Sequence, residues 1–185
     1  MNKFLKAFEC ALIIIFLFFS ILTARPLSIA RAYPVRYKET VKKYAEENSF
    51  SAAFLFAVIR TESSFNPRAV SKKGAVGLMQ ILPSTAEFIA GRNGYDYLEE
   101  YLYSPEYNVR LGVRYFSYLR ARFLEEETYL AAYNAGEGTV AMWLNNANYS
   151  ADGKTLDRIP YPETRRYVEK VQKAKNKYEK YYSFS

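Results

Sequence analysis

From Tyr37 onward, apolar residues recur mostly at the three- and four-residue spacing of amphipathic helices. Start signals divide the pattern, because Ser51 can cap a helix and Pro83 and Pro105 suit the first turn of one. The helices predicted in this way are 37–47, 51–62, 83–90, 105–123, 127–134, 139–145 and a last one that opens at Pro162. The pattern therefore predicts an all-α domain, or an α-dominated α+β domain.

Two stretches interrupt the helices. Residues 71–80 contain two glycines and are predicted to form a loop or a short hairpin, and residues 146–158 a polar loop. The second helix is expected to stop at Asn66-Pro67, because the residue before a proline disfavours the helical conformation. The third is expected to close at Gly91.

Residues 1–32 follow a different pattern. Lys3 and Lys6 precede an unbroken run of apolar or small residues from Cys10 to Ala24. A basic flank before an apolar run is typical of a secretory signal peptide. The run is short for a membrane span, which needs roughly 20 apolar residues, but an uncleaved signal anchor stays open. We therefore predict an exported protein of the cell envelope, periplasm or cell wall, held at the outer face of the cytoplasmic membrane if the signal is uncleaved, with residues 33–185 as one domain.

Composition excludes several kinds of chemistry. The chain has no histidine and a single cysteine, Cys10, so Ser-His-Asp catalysis, histidine-ligated metal and intrachain disulfides are excluded. The net charge is +7; residues 1–32 hold four basic residues and one acid, so the remaining domain keeps +4. Such a domain would be drawn to an anionic wall polymer or lipid surface. Nucleic acid would satisfy the same charge, but the predicted export argues against it.

Glu62 is the first candidate for chemistry. It follows the apolar segment 54–59 and is expected near the end of a helix, at the edge of the core. A carboxyl group in such a place loses hydration, which raises its pKa towards the value that a general acid needs near neutral pH. Taken without further motifs, a solvated acid at a helix end is the simpler interpretation.

Short segments in a fixed order provide those motifs. They are residues 62–67 (ESSFNP), 74–81 (GAVGLMQI), 83–86 (PSTA) and 132–136 (AYNAG), with a looser match at 159–168 (IPYPETRRYV). This order resembles the catalytic domain of the soluble-type (SLT-domain) lytic transglycosylases of bacterial cell walls, whose lysozyme-like helical fold is related to goose-type lysozyme. The resemblance covers residues 37–172. It implies a lysozyme-like helical domain in which a short loop or hairpin lines a substrate cleft, with residues 33–185 as the catalytic domain.

By that resemblance Glu62 is the single catalytic acid of a peptidoglycan lytic transglycosylase. It would protonate the glycosidic oxygen between N-acetylmuramic acid and N-acetylglucosamine, then accept the proton of the muramoyl C6 hydroxyl to give a 1,6-anhydro end. Ordinary glycosidases use two carboxylates, and no second acid occurs between Glu62 and Glu87. Two alternatives stay open: a muramidase that hydrolyses the same bond with water, and an inactive wall-binding module on the same fold.

The resemblance also implies substrate contacts. The expected substrate-binding residues are Ser63, Met79, Gln80, Tyr133, Asn134 and Tyr167. Several have ordinary alternatives: a local hydrogen bond for Ser63, core packing for Met79 and a turn for Asn134. Glu163 is interpreted as a first-turn acid with a structural role.

The remaining expectations concern partners. Glycines 74 and 77 could let the backbone approach the sugar, or could simply serve a turn. The expected partner is the glycan strand of peptidoglycan, with no nucleic acid and no metal or organic cofactor. We expect a monomer that contacts the membrane only through an uncleaved N-terminal segment.

Overall fold

The computed structural model describes residues 12–14 and 28–184, and the chain divides into two units, 1–35 and 36–185. In the first unit, residues 28–32 form a short helix. The predicted signal segment, 1–32, lies outside the described residues except for 12–14 and 28–32, so it stays a prediction. Within residues 12–14 and 28–184, no helix combines the length and the apolar character needed to cross a membrane.

The second unit is helical, as the apolar pattern predicts. Its α-helices are α1 Lys38–Glu47, α2 Ala52–Ser63, α3 Pro83–Asn93, α4 Pro105–Arg122, α5 Glu126–Ala135, α6 Glu137–Leu144 and α7 Pro162–Tyr181, with a 3₁₀ helix at Glu99–Tyr103. The only β-structure among the described residues is a pair of isolated bridges, Val70 to Val76 and Val76 to Ile81. The all-α fold class is therefore confirmed, and the segment predicted as a loop or short hairpin holds these two bridges.

Helix α2 is the centre of the core. Residues 53–59 are all buried, so this helix is apolar on every side and has to be surrounded by others. The Phe54 ring meets Phe116 of α4 edge-on at 5.1 Å, and on another face Phe56 packs 5.5 Å from Tyr178 of α7. Burying an aromatic side chain contributes roughly 1.5–3 kcal/mol. These contacts hold α2, and with it the residue at its C-terminal end, in a fixed position.

Helix α2 ends at Ser63, within one residue of the predicted end, and the chain turns before it reaches the proline because Ser64 and Phe65 adopt left-handed conformations with φ of 51° and 64°. The predicted end of α3 is wrong. Helix α3 continues past Gly91 to Asn93, and the left-handed cap is Gly94 with φ 67°. Glycine inside a helix costs roughly 0.5–1 kcal/mol relative to alanine, so neighbouring turns can carry the helix through it.

Gly77 is required by packing within the protein. It has φ 81°, and a Cβ placed there would clash with the Asn108 side chain and the Leu102 carbonyl oxygen. The missing side chain therefore lets the 71–80 loop lie directly against α4. The space beside Gly77 is thus filled by Asn108 and Leu102 of the protein itself, which favours a packing role over room for a sugar.

Candidate active site

Glu62 lies in the last turn of α2, partly exposed at the surface. Burial of its carboxyl group raises the pKa from 4.5 to about 7, while the nearby Tyr167 hydroxyl acts in the opposite direction. The C-terminal end of a helix carries partial negative charge, which also disfavours a carboxylate. No ion pair of the described residues involves Glu62. The group is therefore an acid that can both hold and release a proton near pH 7.

Two tyrosines approach Glu62, Tyr133 from α5, which is partly exposed, and Tyr167 from α7, which is buried. Burial raises the pKa of both Tyr133 and Tyr167 well above 10, and the negative charge of Glu62 adds to the rise. The Tyr133 hydroxyl donates to the Met79 carbonyl oxygen at 2.7 Å, and its ring stacks on Phe116 at 4.1 Å. The Tyr167 hydroxyl is buried and has no aligned hydrogen-bond partner among the described residues. Of the two, Tyr167 has the hydroxyl that is still available to Glu62 or to a ligand.

Asn108 fixes the 76–80 loop beside Glu62. The side chain is fully buried; its Oδ1 accepts from the Met79 amide at 2.8 Å, and its Nδ2 donates to the Val76 and Leu102 carbonyl oxygens at 2.9 Å each. A buried amide with three bonds of this kind holds its partners rigidly, because breaking any of them would leave an unsatisfied polar group. The sequence analysis did not identify Asn108 as a site residue. The sequence signal that could have found it is an asparagine among the apolar residues that α4 buries.

Three predicted substrate-binding residues make contacts within the protein. Ser63 donates to the Leu78 carbonyl oxygen at 2.8 Å, and Gln80 Nε2 donates to the carbonyl oxygens of Ala69 at 3.1 Å and Gly77 at 2.9 Å. Met79 is fully buried. Its side chain packs so closely on α4 that a Cβ at Gly112 would clash with it, which favours the core interpretation of Met79. These residues shape the loop beside Glu62.

A pocket of about 280 Å³ opens next to Tyr167. It is lined by Thr61, Asn134, Glu163, Arg166, Tyr167 and Lys170. Asn134 and Tyr167 are thus brought to one wall, as expected of substrate-binding residues, although their role stays a prediction. Glu163 also reaches this pocket. Sequence reasoning missed Thr61, Arg166 and Lys170; the last two follow Glu163 at helical spacing, which was the signal that could have found them.

The arrangement supplies one kind of chemistry. It offers a carboxyl group with a pKa near 7, the buried Tyr167 hydroxyl next to it, and a loop beside them that several hydrogen bonds hold in place. Glu163 is exposed, so it lacks the burial that characterises Glu62. A single acid that alternates between its two protonation states can transfer a proton to a leaving group and recover one from a nucleophile.

Comparison with known proteins gives one consistent result. The family model described as Transglycosylase SLT domain matches residues 39–156. The chain is 35% identical over 144 residues to the soluble lytic murein transglycosylase of Escherichia coli K12, covering 75% of this chain and 22% of that protein. It is 33% identical over 170 residues to membrane-bound lytic murein transglycosylase C of Actinobacillus pleuropneumoniae, covering 77% of this chain and 46% of the relative.

Solved structures agree with the sequence relatives. The 70 kDa soluble lytic transglycosylase SLT70 of Escherichia coli superposes with a TM-score of 0.72 at 30% identity, over 82% of this chain and 25% of that one. A complex of the 70 kDa soluble lytic transglycosylase with bulgecin A gives a TM-score of 0.73 at 29% identity, over 87% and 27% of the two chains. The chain thus spans about a quarter of the length of these two structures.

Proposed function

The chain belongs to the transglycosylase SLT domain family, and from this premise we propose that it is a peptidoglycan lytic transglycosylase. The proposed reaction cleaves the β-1,4 bond between N-acetylmuramic acid and N-acetylglucosamine without water and leaves a 1,6-anhydromuramoyl end. The observation that carries the proposal is the position of Glu62, which is buried enough for its pKa to rise to about 7.

In the first step Glu62 acts as the general acid. Its proton passes to the glycosidic oxygen as the bond from that oxygen to the muramoyl C1 breaks, and the N-acetylglucosamine end leaves as an alcohol. With a pKa near 7, a substantial fraction of Glu62 is protonated at neutral pH. The carboxylate that remains forms no ion pair among the described residues, so it is a competent base.

In the second step the Glu62 carboxylate acts as the general base. The C6 hydroxyl of the same muramoyl residue attacks C1 and gives its proton to Glu62, which returns to the starting acid. The ring closes to the 1,6-anhydro sugar, and no water is consumed. A second protein carboxylate is unnecessary, because the sugar supplies its own nucleophiles.

The substrate lies along the 280 Å³ pocket in this proposal. Asn134 and the buried hydroxyl of Tyr167 are its polar contacts, while Ser63, Gln80 and Tyr133 act by holding the loop beside Glu62. The proposed enzyme acts as a monomer, because the residues proposed to act on the substrate all belong to one compact unit of the chain. Lys3, Lys6 and the apolar run after them direct the enzyme to the cell envelope.

Product analysis tests the reaction. Purified peptidoglycan is digested with the wild type, with Glu62→Gln, and with Glu106→Gln as a control that alters an exposed acid elsewhere. We expect soluble fragments with anhydro ends, lighter by one water than hydrolysed ends, from the wild type and the control, and none from Glu62→Gln. Reducing muramoyl ends would instead establish a hydrolase. A wild type as inactive as Glu62→Gln, with binding retained, would establish a wall-binding module.

A further inference from the structure

Helix α7 carries a straight line of basic side chains on its outer face. Their spacing alternates between four and three residues, which places them within about 40° of one line along a helix of 3.6 residues per turn. The members of this basic stripe are Arg166, Lys170, Lys173, Lys177 and Lys180. At 1.5 Å of rise per residue the stripe is roughly 21 Å long. All its members are exposed except Lys177, which is partly exposed.

The charges of the basic stripe are not neutralised within the described part of the protein. The ion pair of α7, Lys175 to Glu126 at 2.7 Å, lies on a different face. Glu163 in the pocket wall and Glu169 on the same helix form no ion pair with the stripe among the described residues. The Lys177 and Lys180 ammonium groups lie 5.8 and 5.9 Å from the Tyr181 ring.

Such an arrangement is unfavourable for the helix itself. Neighbours along the stripe are three or four residues apart, and like charges at this spacing destabilise a helix by roughly 0.2–0.5 kcal/mol per pair. An ordinary solvated helix face mixes the two signs of charge. A continuous line of one sign is instead suited to a long ligand of the opposite sign.

The basic stripe begins inside the pocket beside Glu62. Arg166 and Lys170 line that pocket together with Tyr167, and the three other members lead away from it along α7. A polymer whose scissile bond lies at Glu62 can therefore continue over the stripe. The N-acetylated sugar backbone of peptidoglycan is neutral, but its muramoyl residues carry short peptides with free carboxylates.

We propose that the basic stripe of α7 binds the carboxylates of the peptides that hang from the strand being cleaved. The proposal rests on the proposed function, since it takes the bound polymer to be peptidoglycan. It assigns a direction to the ligand, because peptides beyond the cleaved bond would follow α7 outward from the pocket. Of the possible anionic partners, this one is favoured by the continuity of the stripe with the pocket wall.

The test measures binding to soluble, peptide-bearing glycan strands in the Glu62→Gln background, where no cleavage interferes. The distal part of the stripe is altered by Lys173→Gln, Lys177→Gln and Lys180→Gln together, because none of these residues lines the pocket. The matched control removes the same charge elsewhere, by Arg36→Gln, Lys38→Gln and Lys154→Gln. Glutamine has nearly the helix propensity of lysine, so thermal unfolding should show all proteins folded.

We expect the distal variant to bind about tenfold more weakly at low ionic strength and the control to change less than about twofold, as for a few exposed ion pairs. The difference should disappear in about 0.5 M salt, because exposed charges are then screened. It should also disappear on strands whose peptide carboxylates have been converted to neutral amides by carbodiimide and glycinamide.

Several results would overturn the proposal. Equal binding of the distal variant and the control does so, as does a loss that is the same on native and amidated strands. A distal variant that keeps strand binding but loses binding to phosphatidylglycerol vesicles would assign the stripe to a lipid surface. If the Glu62→Gln parent itself does not bind strands, or the wild type forms no anhydro ends, the proposed function fails as well. If parent and wild type behave as expected, only the stripe has failed.

Discussion

Two pockets of the second unit have similar volumes, about 280 Å³ next to Tyr167 and about 310 Å³ next to Arg110. They differ in what surrounds them. Tyr167, in the wall of the first pocket, lies next to Glu62, whose carboxyl group has its pKa raised by burial to about 7. In the second pocket the Arg110 guanidinium lies 4.2 Å from the Tyr95 ring and 5.0 Å from the Tyr107 ring. The first pocket therefore adjoins a carboxyl group that can exchange a proton near pH 7.

A second acid sharpens the comparison. Glu106, in the first turn of α4 close to Arg110, accepts hydrogen bonds from Lys43 at 3.2 Å and from Tyr44 at 3.1 Å. The Lys43 and Tyr44 hydrogen bonds lower the pKa of Glu106, whereas burial raises the pKa of Glu62. The carboxyl group of Glu106 is thus held in its charged form, whereas that of Glu62 can gain or lose a proton near pH 7. Environment, more than residue type, decides which carboxylate can do chemistry.

The largest expected effect separates the two pockets by activity. Glu62→Gln should lower kcat/KM for peptidoglycan by roughly 10³-fold, because a general acid contributes about 10² to 10⁴-fold. Arg110→Gln should change it by less than about twofold, as substitutions away from a site usually do. The measurement is the initial rate of wall clearing for both variants. A loss of activity in Arg110→Gln comparable to that in Glu62→Gln would show that both regions take part in the reaction.

A smaller effect concerns stability against pH. The folded pKa of Glu62 is raised from 4.5 to about 7, so the folded state binds the proton more tightly than the unfolded state does. The resulting stabilisation is complete below pH 4.5 and is lost as pH rises through 7, amounting to at most about 3 kcal/mol. Glu62→Gln lacks this dependence and should gain stability relative to the wild type between pH 5 and pH 8.

Urea unfolding of both proteins at pH 5 and pH 8 measures this difference. Glu106→Gln is a control with the opposite pH dependence. The pKa of Glu106 is lower in the folded state than in the unfolded state, so its charged carboxylate stabilises the fold above the unfolded pKa. That stabilisation is lost as the pH falls through the folded pKa. Parallel stability curves for the wild type and Glu62→Gln would mean that Glu62 is as well hydrated as Glu106.

The smallest effects distinguish the two tyrosines near Glu62. Tyr133→Phe removes the bond to the Met79 carbonyl oxygen and should destabilise the fold by about 1–2 kcal/mol. Tyr167→Phe removes a hydroxyl that has no aligned partner among the described residues, so it should leave stability nearly unchanged. Because that hydroxyl opposes the rise in the pKa of Glu62, its loss should move the alkaline limb of kcat/KM to higher pH.

Urea unfolding and a pH profile of kcat/KM for both phenylalanine variants measure these effects. If Tyr167→Phe destabilises the fold as much as Tyr133→Phe and leaves the pH profile unmoved, its hydroxyl belongs to the core packing and not to the site.

The fold was largely predictable because helical periodicity and caps are local signals. Ser51 caps α2 in the structure, accepting from the Phe54 amide at 3.1 Å, and Ser104 caps α4 in the same way. The end of α3 was not predictable, because the sequence does not state which of Gly91 and Gly94 takes a positive φ. Local signals thus place helices and leave their last turns uncertain.

The site was predictable in part. The location of Glu62 at a helix end follows from the apolar segment before it, and the motifs indicate which loops surround it. The direction of the neighbouring side chains could not be read in the same way. Ser63 bonds to a carbonyl 15 residues away and Tyr133 to one 54 residues away, so their orientation depends on how the helices pack. Arg166 and Lys170 were missed because they resemble ordinary surface residues until α7 is in place.

The loop beside Glu62 is held at Leu78 and Met79 by Ser63 from α2, Asn108 from α4 and Tyr133 from α5. None of these three attachments exists until the corresponding helix has docked. The proposed cleavage therefore requires the finished fold, because a chain that is only partly folded has the acid but not the fixed loop beside it.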